Sequence, residues 1–459
     1  MRTVWITFLV FTVTASGATS FGAPWQAGVA SVNITPLEPM WLSGYGGRDK
    51  PATGKRTDLW AKALSLTAAD GQPAVLVTMD LLGIDRTLSL EICHRLEQRY
   101  NLRRADIVLS VSHTHTGPVV GRNLACAYDL DARQQSLIDQ YAADLVTKIV
   151  QVVGTAITNA ETATLSTGTG TATFAVNRRN NPESEVSELR AANKLAGPVD
   201  HDVPVLVVRA TDGALLAVVC GYACHATVLN DYSWSGDWPG FTQLELERRH
   251  PGSTALFWAG CGADQNPLPR RQVELAQSYG RQLADAVDTV LESDMTAIPS
   301  RWRRTYEEID LQFASLPSRE QLAIEASGNN AAARRARLLL QQWDRDGQLA
   351  PNYPYPVQTW QLGDHLTWVF LGGEVVVDYA LRLKRELSPH RTWVAGYAND
   401  VMAYIPSRRV LLEGGYEGGG AMVYYGLPSA WTVEVEKQIV AHVRSQVGAH
   451  DIDRSSQPP

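Results

Sequence analysis

Short apolar runs that stop abruptly at a polar or glycine-rich loop are the feature that most limits what this chain can fold into. "PAVLVTMDLLG" (Pro73 to Gly83) reads as a buried strand, and the following "TLSLEICHRLEQRYN" spaces Leu88, Ile92 and Leu96 as one face of a helix does. "ADIVLSVSHTH" is again a strand, and it ends at His113 and His115. Longer stripes follow, with Leu137, Tyr141, Leu145, Ile149 and Val152 on one helical face and Leu275, Tyr279, Leu283, Val287 and Leu291 on another. Strands alternating with helices predict an α/β fold, a large layered domain built on a mixed sheet. "SREQLAIEASGNNAAARRARLLLQQWDRDGQ" predicts a helical hairpin inserted into it, turning at Gly-Asn-Asn.

Two segments fall outside that domain. "MRTVWITFLVFTVTASGATSFGAP" has one Arg, an apolar run from Val4 to Val13 and then small residues. This is the layout of a secretory signal peptide, with cleavage expected between Ser16 and Ala23. The run is shorter than the about 20 residues that span a bilayer, so secretion or periplasmic export is expected, with no integral membrane segment after cleavage. The tail "AHDIDRSSQPP" is expected to be disordered. The expected division is therefore a leader over 1–23, one domain over 24–448, and a tail over 449–459.

A formal charge of −7 and the lack of any clustered Lys/Arg block argue against a nucleic-acid partner. The five cysteines cannot all pair with one another. Cys220 and Cys224 have the look of a metal pair, but the apolar neighbours in "LLAVVCGYACHATVL" favour small buried side chains.

The polar residues that close the strands carry the chemistry. After His113 and His115, the run "ALLAVVCGYACHATVLNDYSWSGDWPG" delivers His225, and a histidine buried behind such a run must find a partner. "TALFWAGCGADQNP" opens into a loop with Asp264 and Asn266. "HLTWVFLGGEVVVDYALRLKREL" runs from strand through Gly372-Gly373 into a helix, with Glu374 read as the helix start, where the dipole favours a carboxylate. "RTWVAGYANDVMAYIPSRRVLLEGGYEGGG" is read as a strand ending at Asn399, followed by Tyr404 and Tyr416. Ligands of open α/β sheets lie beyond the carboxyl ends of strands. Imidazole and carboxylate groups gathered there are the donors that zinc takes, and a catalytic zinc site keeps one position open.

In order along the chain, "AGVASVNITPLEPMWLSGYGGR", "SHTHTGP", "FAVNRRN", "CHATVLN", "SGDWPG", "GCGADQNP", "GGEVVVDYALRL" and "YANDVMAYIPSRRVLLEGGYEGG" resemble the amino-terminal catalytic domain of the neutral/alkaline (non-lysosomal) ceramidases. The resemblance runs from about Ala27 to about Tyr425. It implies a catalytic zinc ion held by His113, His225, Glu374 and Tyr404. His115 falls beside the metal, Tyr416 matches a tyrosine that stabilises the oxyanion, and Arg178 matches a site-lining arginine. Asp264 is one candidate for the base and His115 the other. Where the family has Ser in a Gly-Asp-x-Ser-Pro motif, "ADQNP" has Asn266, which implies attack by water with no acyl-enzyme. The family also carries a carboxy-terminal immunoglobulin-like domain, which this chain is expected to lack.

The reading expected from these features is an exported zinc amidohydrolase. It would cleave an N-acyl amide, either ceramide or a related small-molecule or lipid compound met by peripheral membrane contact. Two alternatives remain: a zinc esterase or amidase for another small acylated substrate, and a non-catalytic binding protein holding a structural metal.

Overall fold

The computed structural model describes residues 24–388 and 391–448; the expected leader and tail lie outside the described residues. Its larger sheet runs in the order Thr254–Ala259, Leu215–Tyr222, Asp202–Ala210, Glu161–Thr171, Trp25–Asn33, Trp60–Thr67, Pro73–Met79, Ile107–Val111, with Thr296–Ile298 added alongside Glu161–Thr171. Antiparallel pairs form the middle. A parallel pair stands at each end, Thr254–Ala259 on Leu215–Tyr222 and Ile107–Val111 on Pro73–Met79.

Alternation along each strand sorts side chains to two faces. On Pro73–Met79, Val75, Val77 and Met79 enter the core shared with helices, whereas Ala74 and Leu76 face a second sheet. The helices on the first face are Arg86–Tyr100, Ala132–Thr158, Asp237–Arg249 and Val273–Leu291. The second sheet comprises Trp302–Gln312, Asn352–Leu362, Leu366–Leu371 and Thr392–Ala395. Between the sheets lie Trp25, Trp258, Trp360, Trp368 and Trp393, all buried. Losing one such ring to Ala costs about 3–5 kcal/mol. Val377–Leu387 and Val435–Val447 cover the outer face of the second sheet, giving the layers helix, sheet, sheet, helix.

Strand twist accumulates across so many strands, and here the larger sheet coils until its end strands, Ile107–Val111 and Thr254–Ala259, touch. Residues 396–399 close the seam. Gly396 N donates to Ala259 O at 3.1 Å on one side, and Asn399 N donates to Leu109 O at 2.6 Å on the other. Leu109 N returns a bond to Asn399 Oδ1 at 3.1 Å. The loops that follow the two end regions are thereby brought together, and Thr114 and Ala226 form a bridge.

The expected helices are present. The hairpin consists of Arg319–Glu325 and Ala331–Asp346, with Asn330 capping the second helix by accepting from Ala333 N at 2.9 Å. All five cysteines are free and buried, as the apolar context of Cys220 and Cys224 predicts. No helix among the described residues is long and apolar enough to cross a membrane.

One expectation about Glu374 needs correction. It occupies a two-residue strand, Glu374–Val375, paired in parallel with Tyr404–Ile405, and the helix begins at Val377. The carboxylate at that helix start belongs to Asp264, whose Oδ1 accepts from Val377 N at 2.9 Å. Likewise the strand read as ending at Asn399 ends at Ala395, and Asn399 lies in the seam.

Candidate metal centre

His113 follows the end strand Ile107–Val111 with a left-handed backbone, φ 58°. A non-glycine residue holds that conformation only where its surroundings enforce it. Here the enforcing contacts are Nδ1, which donates to Leu82 O at 2.7 Å, and the Tyr397 ring, 4.3 Å away centroid to centroid. His225 follows Leu215–Tyr222 and is held in the same manner, its Nδ1 donating to Gly262 O at 2.7 Å. Trp238 Nε1 donates to the His225 carbonyl at 2.8 Å.

Glu374 and Tyr404 stand opposite each other in the short parallel pair. Gly373 makes that pairing possible: at φ 73°, a Cβ there would come 2.6 Å from Ala403 O. Tyr425 Oη donates to Glu374 Oε1. Arg178 Nη2 donates to Tyr404 Oη at 3.1 Å.

These groups meet at one point. Glu374 Oε2 lies 3.1 Å from His113 Nε2 and 3.2 Å from His225 Nε2, and Tyr404 Oη lies 3.4 Å from His225 Nε2. Each Nδ1 faces a carbonyl and so carries the ring proton, which leaves a bare electron pair on each Nε2. Burial, and then the charge of Arg178, push His225 down to about 4, so it is neutral at neutral pH. Glu374 Oε2 is buried and accepts no hydrogen bond. Lone pairs aimed at one another in a dry pocket repel unless a cation sits among them. Donors about 2.0–2.1 Å from a tetrahedral ion stand about 3.3 Å apart, the spacing seen here. The residues present therefore fit a divalent metal, and His113, His115 and His225 together satisfy the geometry of a candidate ion-binding group.

A cleft of about 610 Å³ opens over this point, lined by His115, Arg178, Asn266, Tyr404 and Tyr416 among others. His115 is buried with its Nε2 3.3 Å from His113 Nε2, and its ring packs 4.8 Å from Tyr45. Burial, with the neighbouring imidazoles, holds it well below the ordinary histidine range. Gly44, at φ 100°, supports it so closely that a Cβ would overlap Nδ1. Arg178 also donates to Glu417 at 2.7 Å and lies 3.5 Å from Asn266 Oδ1. Tyr416 is half-exposed, its ring 5.2 Å from that of Tyr404.

Residues 25–263, just over half of the 459, match the profile of the neutral/alkaline non-lysosomal ceramidase family, N-terminal. The chain belongs to this family.

Two curated ceramidases are similar over short stretches. Neutral ceramidase 2 of Arabidopsis thaliana is 30% identical over 94 residues, 20% of this chain and 12% of that protein. Neutral ceramidase of Oryza sativa subsp. japonica is 26% identical over 119 residues, 25% of this chain and 15% of that protein. The matched stretches thus span well under a quarter of those relatives' length. Similarity of fold is broader. The crystal structure of neutral ceramidase from Pseudomonas aeruginosa aligns with a TM-score of 0.71 at 18% identity, over 94% of this chain and 75% of that one. A ceramidase complexed with C2 aligns with a TM-score of 0.71 at 16% identity, over 94% and 76%.

Among the expected site residues of this ceramidase-family chain, His113, His115, His225, Glu374 and Tyr404 are brought together, and Arg178, Asn266 and Tyr416 line the cleft above them. Asp264 is placed differently. Both of its oxygens are engaged, Oδ1 by Val377 N and Oδ2 by Asn177 Nδ2 at 3.2 Å, and it is fully buried beneath the cleft-lining loop. Three tyrosines had no sequence signal: Tyr397 against His113, Tyr425 on Glu374 and Tyr45 on His115. Glu417, which ties Arg178 to Arg179, was also missed.

Proposed function

We propose that this protein is a zinc-dependent amidohydrolase that cleaves an N-acyl amide by attack of water. Its relatives are named for ceramide, an N-acylated amine, and family membership supports the same bond type. The observation that carries the reading is the unbonded Glu374 Oε2 facing two histidine nitrogens with free electron pairs. A mixed nitrogen and oxygen donor set suits zinc, which supplies Lewis acidity toward a carbonyl oxygen and toward water.

The chain's own residues supply the rest. His115, neutral and beside the cleft, takes the proton from the attacking water and passes it to the leaving amine. We assign the base to His115 because both oxygens of Asp264 are engaged; Asp264 ties Asn177 to the start of the helix that follows the Glu374–Val375 strand. The Tyr416 hydroxyl donates to the developing oxyanion, a contribution of about 3–4 kcal/mol in comparable sites. Arg178 holds Tyr404 in place and, with Asn266, orients the amide. The cleft opens directly onto His115 and Tyr404, which supports an enzyme over a protein with a closed structural metal. Asn266 has no hydroxyl to acylate, in keeping with a single displacement.

Metal analysis of the purified protein and of His113→Ala tests the reading. One equivalent of zinc, lost together with amide hydrolysis in the variant, is expected; a metal-free native protein that still hydrolyses amides would refute it. We also propose export. Protein recovered outside the cytoplasm should begin at a residue between Ser16 and Ala23, and a full-length amino terminus there would contradict it.

A further inference from the structure

Most of the side chains that line the cleft over the metal centre carry a charged, amide or hydroxyl group, and its hydrocarbon comes mainly from the rings of Tyr45, Tyr404 and Tyr416. Leu268 and Pro182 are the only aliphatic side chains among the described residues lining it, and Leu268 is buried below the surface. Arg178 and Arg179 are both held by Glu417, at 2.7 and 2.6 Å, and Arg179 also reaches Glu413 at 3.1 Å. Arg270 and Glu183, also in the lining, pair with each other. The side chains of Glu183 and Glu413 are 46% and 43% exposed, so the outer carboxylates of these pairs remain hydrated.

A wall of this kind discriminates by solvation. An alkyl chain gains about fourfold in affinity per methylene only when it leaves water for an apolar surface. Laid against these ion pairs it would instead strip water from guanidinium and carboxylate groups and return nothing. A hydrophilic substrate replaces that water with its own hydrogen bonds and keeps the pairs satisfied. Near the reacting point, Tyr45 and Tyr416 offer hydroxyl-tipped rings.

Building on the amidohydrolase reading, we infer that the substrate is a hydrophilic N-acyl amide with a short acyl group, such as an N-acetylated amino sugar or amino acid, and not a two-chain lipid. The cleft binds it by replacing the hydration of the walls formed by Arg178, Arg179, Glu413 and Glu417 and by Arg270 and Glu183.

The test uses the full zinc-loaded chain and measures kcat/KM for free-amine release from N-acetyl, N-hexanoyl and N-hexadecanoyl glucosamine, the same three acyl derivatives of aspartate, and ceramide in mixed detergent micelles. The acetyl compound of at least one hydrophilic amine is expected to exceed its hexadecanoyl counterpart and ceramide by about tenfold or more. A kcat/KM that rises with acyl length, or ceramide as the best substrate, overturns the inference and leaves the amidohydrolase reading intact. Failure to cleave any of these amides with one equivalent of zinc bound overturns both. Arg179→Leu/Glu413→Leu, which exchanges one ion pair of the wall for hydrocarbon, is expected to shift the hexanoyl-to-acetyl ratio upward by about threefold or more; an unchanged ratio in a folded variant counts against the wall as the selective element.

Discussion

Glu374 Oε2 stands 3.1 Å from His113 Nε2 without accepting a hydrogen bond from it. Both atoms present electron pairs, because His113 Nδ1 carries the ring proton toward Leu82 O. Glu374→Gln would place an amide N–H where the carboxylate oxygen now sits, turning repulsion into a hydrogen bond worth about 0.5–1.5 kcal/mol. The chelated variant is expected to unfold at a higher temperature than the chelated native protein and to bind no stoichiometric zinc. Thermal unfolding in chelator and metal analysis check the two halves; full zinc occupancy in the variant would contradict the assignment.

Tyr425 acts on the same carboxylate from the other side, donating to Oε1. Partners that orient a ligand in this way are worth about 10–100-fold in metal affinity. Tyr425→Phe keeps the packing and is expected to weaken zinc binding by that range in a chelator competition. An unchanged dissociation constant would show that the hydroxyl does not orient Glu374.

Gly44 separates the roles of the two neighbouring histidines. Gly44→Ala drives a Cβ into the His115 ring at Nδ1 and against the flexible end of the Leu82 side chain at 2.7 Å, and the backbone there, at φ 100°, also resists the change. If His115 moves a proton and His113 holds the metal, kcat falls by about tenfold or more while zinc content stays at one equivalent. Loss of metal in this variant would instead make His115 a ligand.

Asp400 governs part of the pH dependence of stability. It is buried, with Tyr353 donating to Oδ2 at 2.6 Å and with Oδ1 unpartnered. Burial pushes its carboxyl up to about 7, against about 3.9 in an unfolded chain. Between those values the folded state keeps a proton that the unfolded state has released. Its contribution to stability therefore falls as pH rises from about 4 to about 7, by at most about 1.4 kcal/mol per unit, and is constant above. Asp400→Asn removes this share of the slope. Urea unfolding at pH 5 and pH 7 should show the variant gaining on the native protein as pH rises; parallel changes would count against a protonated Asp400.

Much of the layering was legible because burial leaves a local imprint. The helical stripe through Tyr141, Leu145 and Ile149 and the alternation of Val75, Leu76 and Val77 are read directly from spacing. His113 and His225 stood out because each closes an apolar run. Glu374 and Tyr404 were marked by their places after apolar runs, but their roles as metal ligands entered through the family resemblance, since a pairing between two-residue strands is too short to leave a pattern. The coiling that brings the sheet's end strands together is a sum of small twists that no window of residues reveals. Asp264 shows the limit in miniature. Its position after a strand marked it as near the site, yet which way its carboxylate turns depends on Val377 and Asn177, both distant in sequence.

The seam at residues 396–399 sets a temporal order on the molecule's working life. His113 and His225 emerge from the ribosome long before Asn399 can staple the coiled sheet shut, and Tyr404 emerges later still. A nascent or interrupted chain therefore owns histidines but no cage. The cage around the candidate metal position closes only with the last-made residues of the fold.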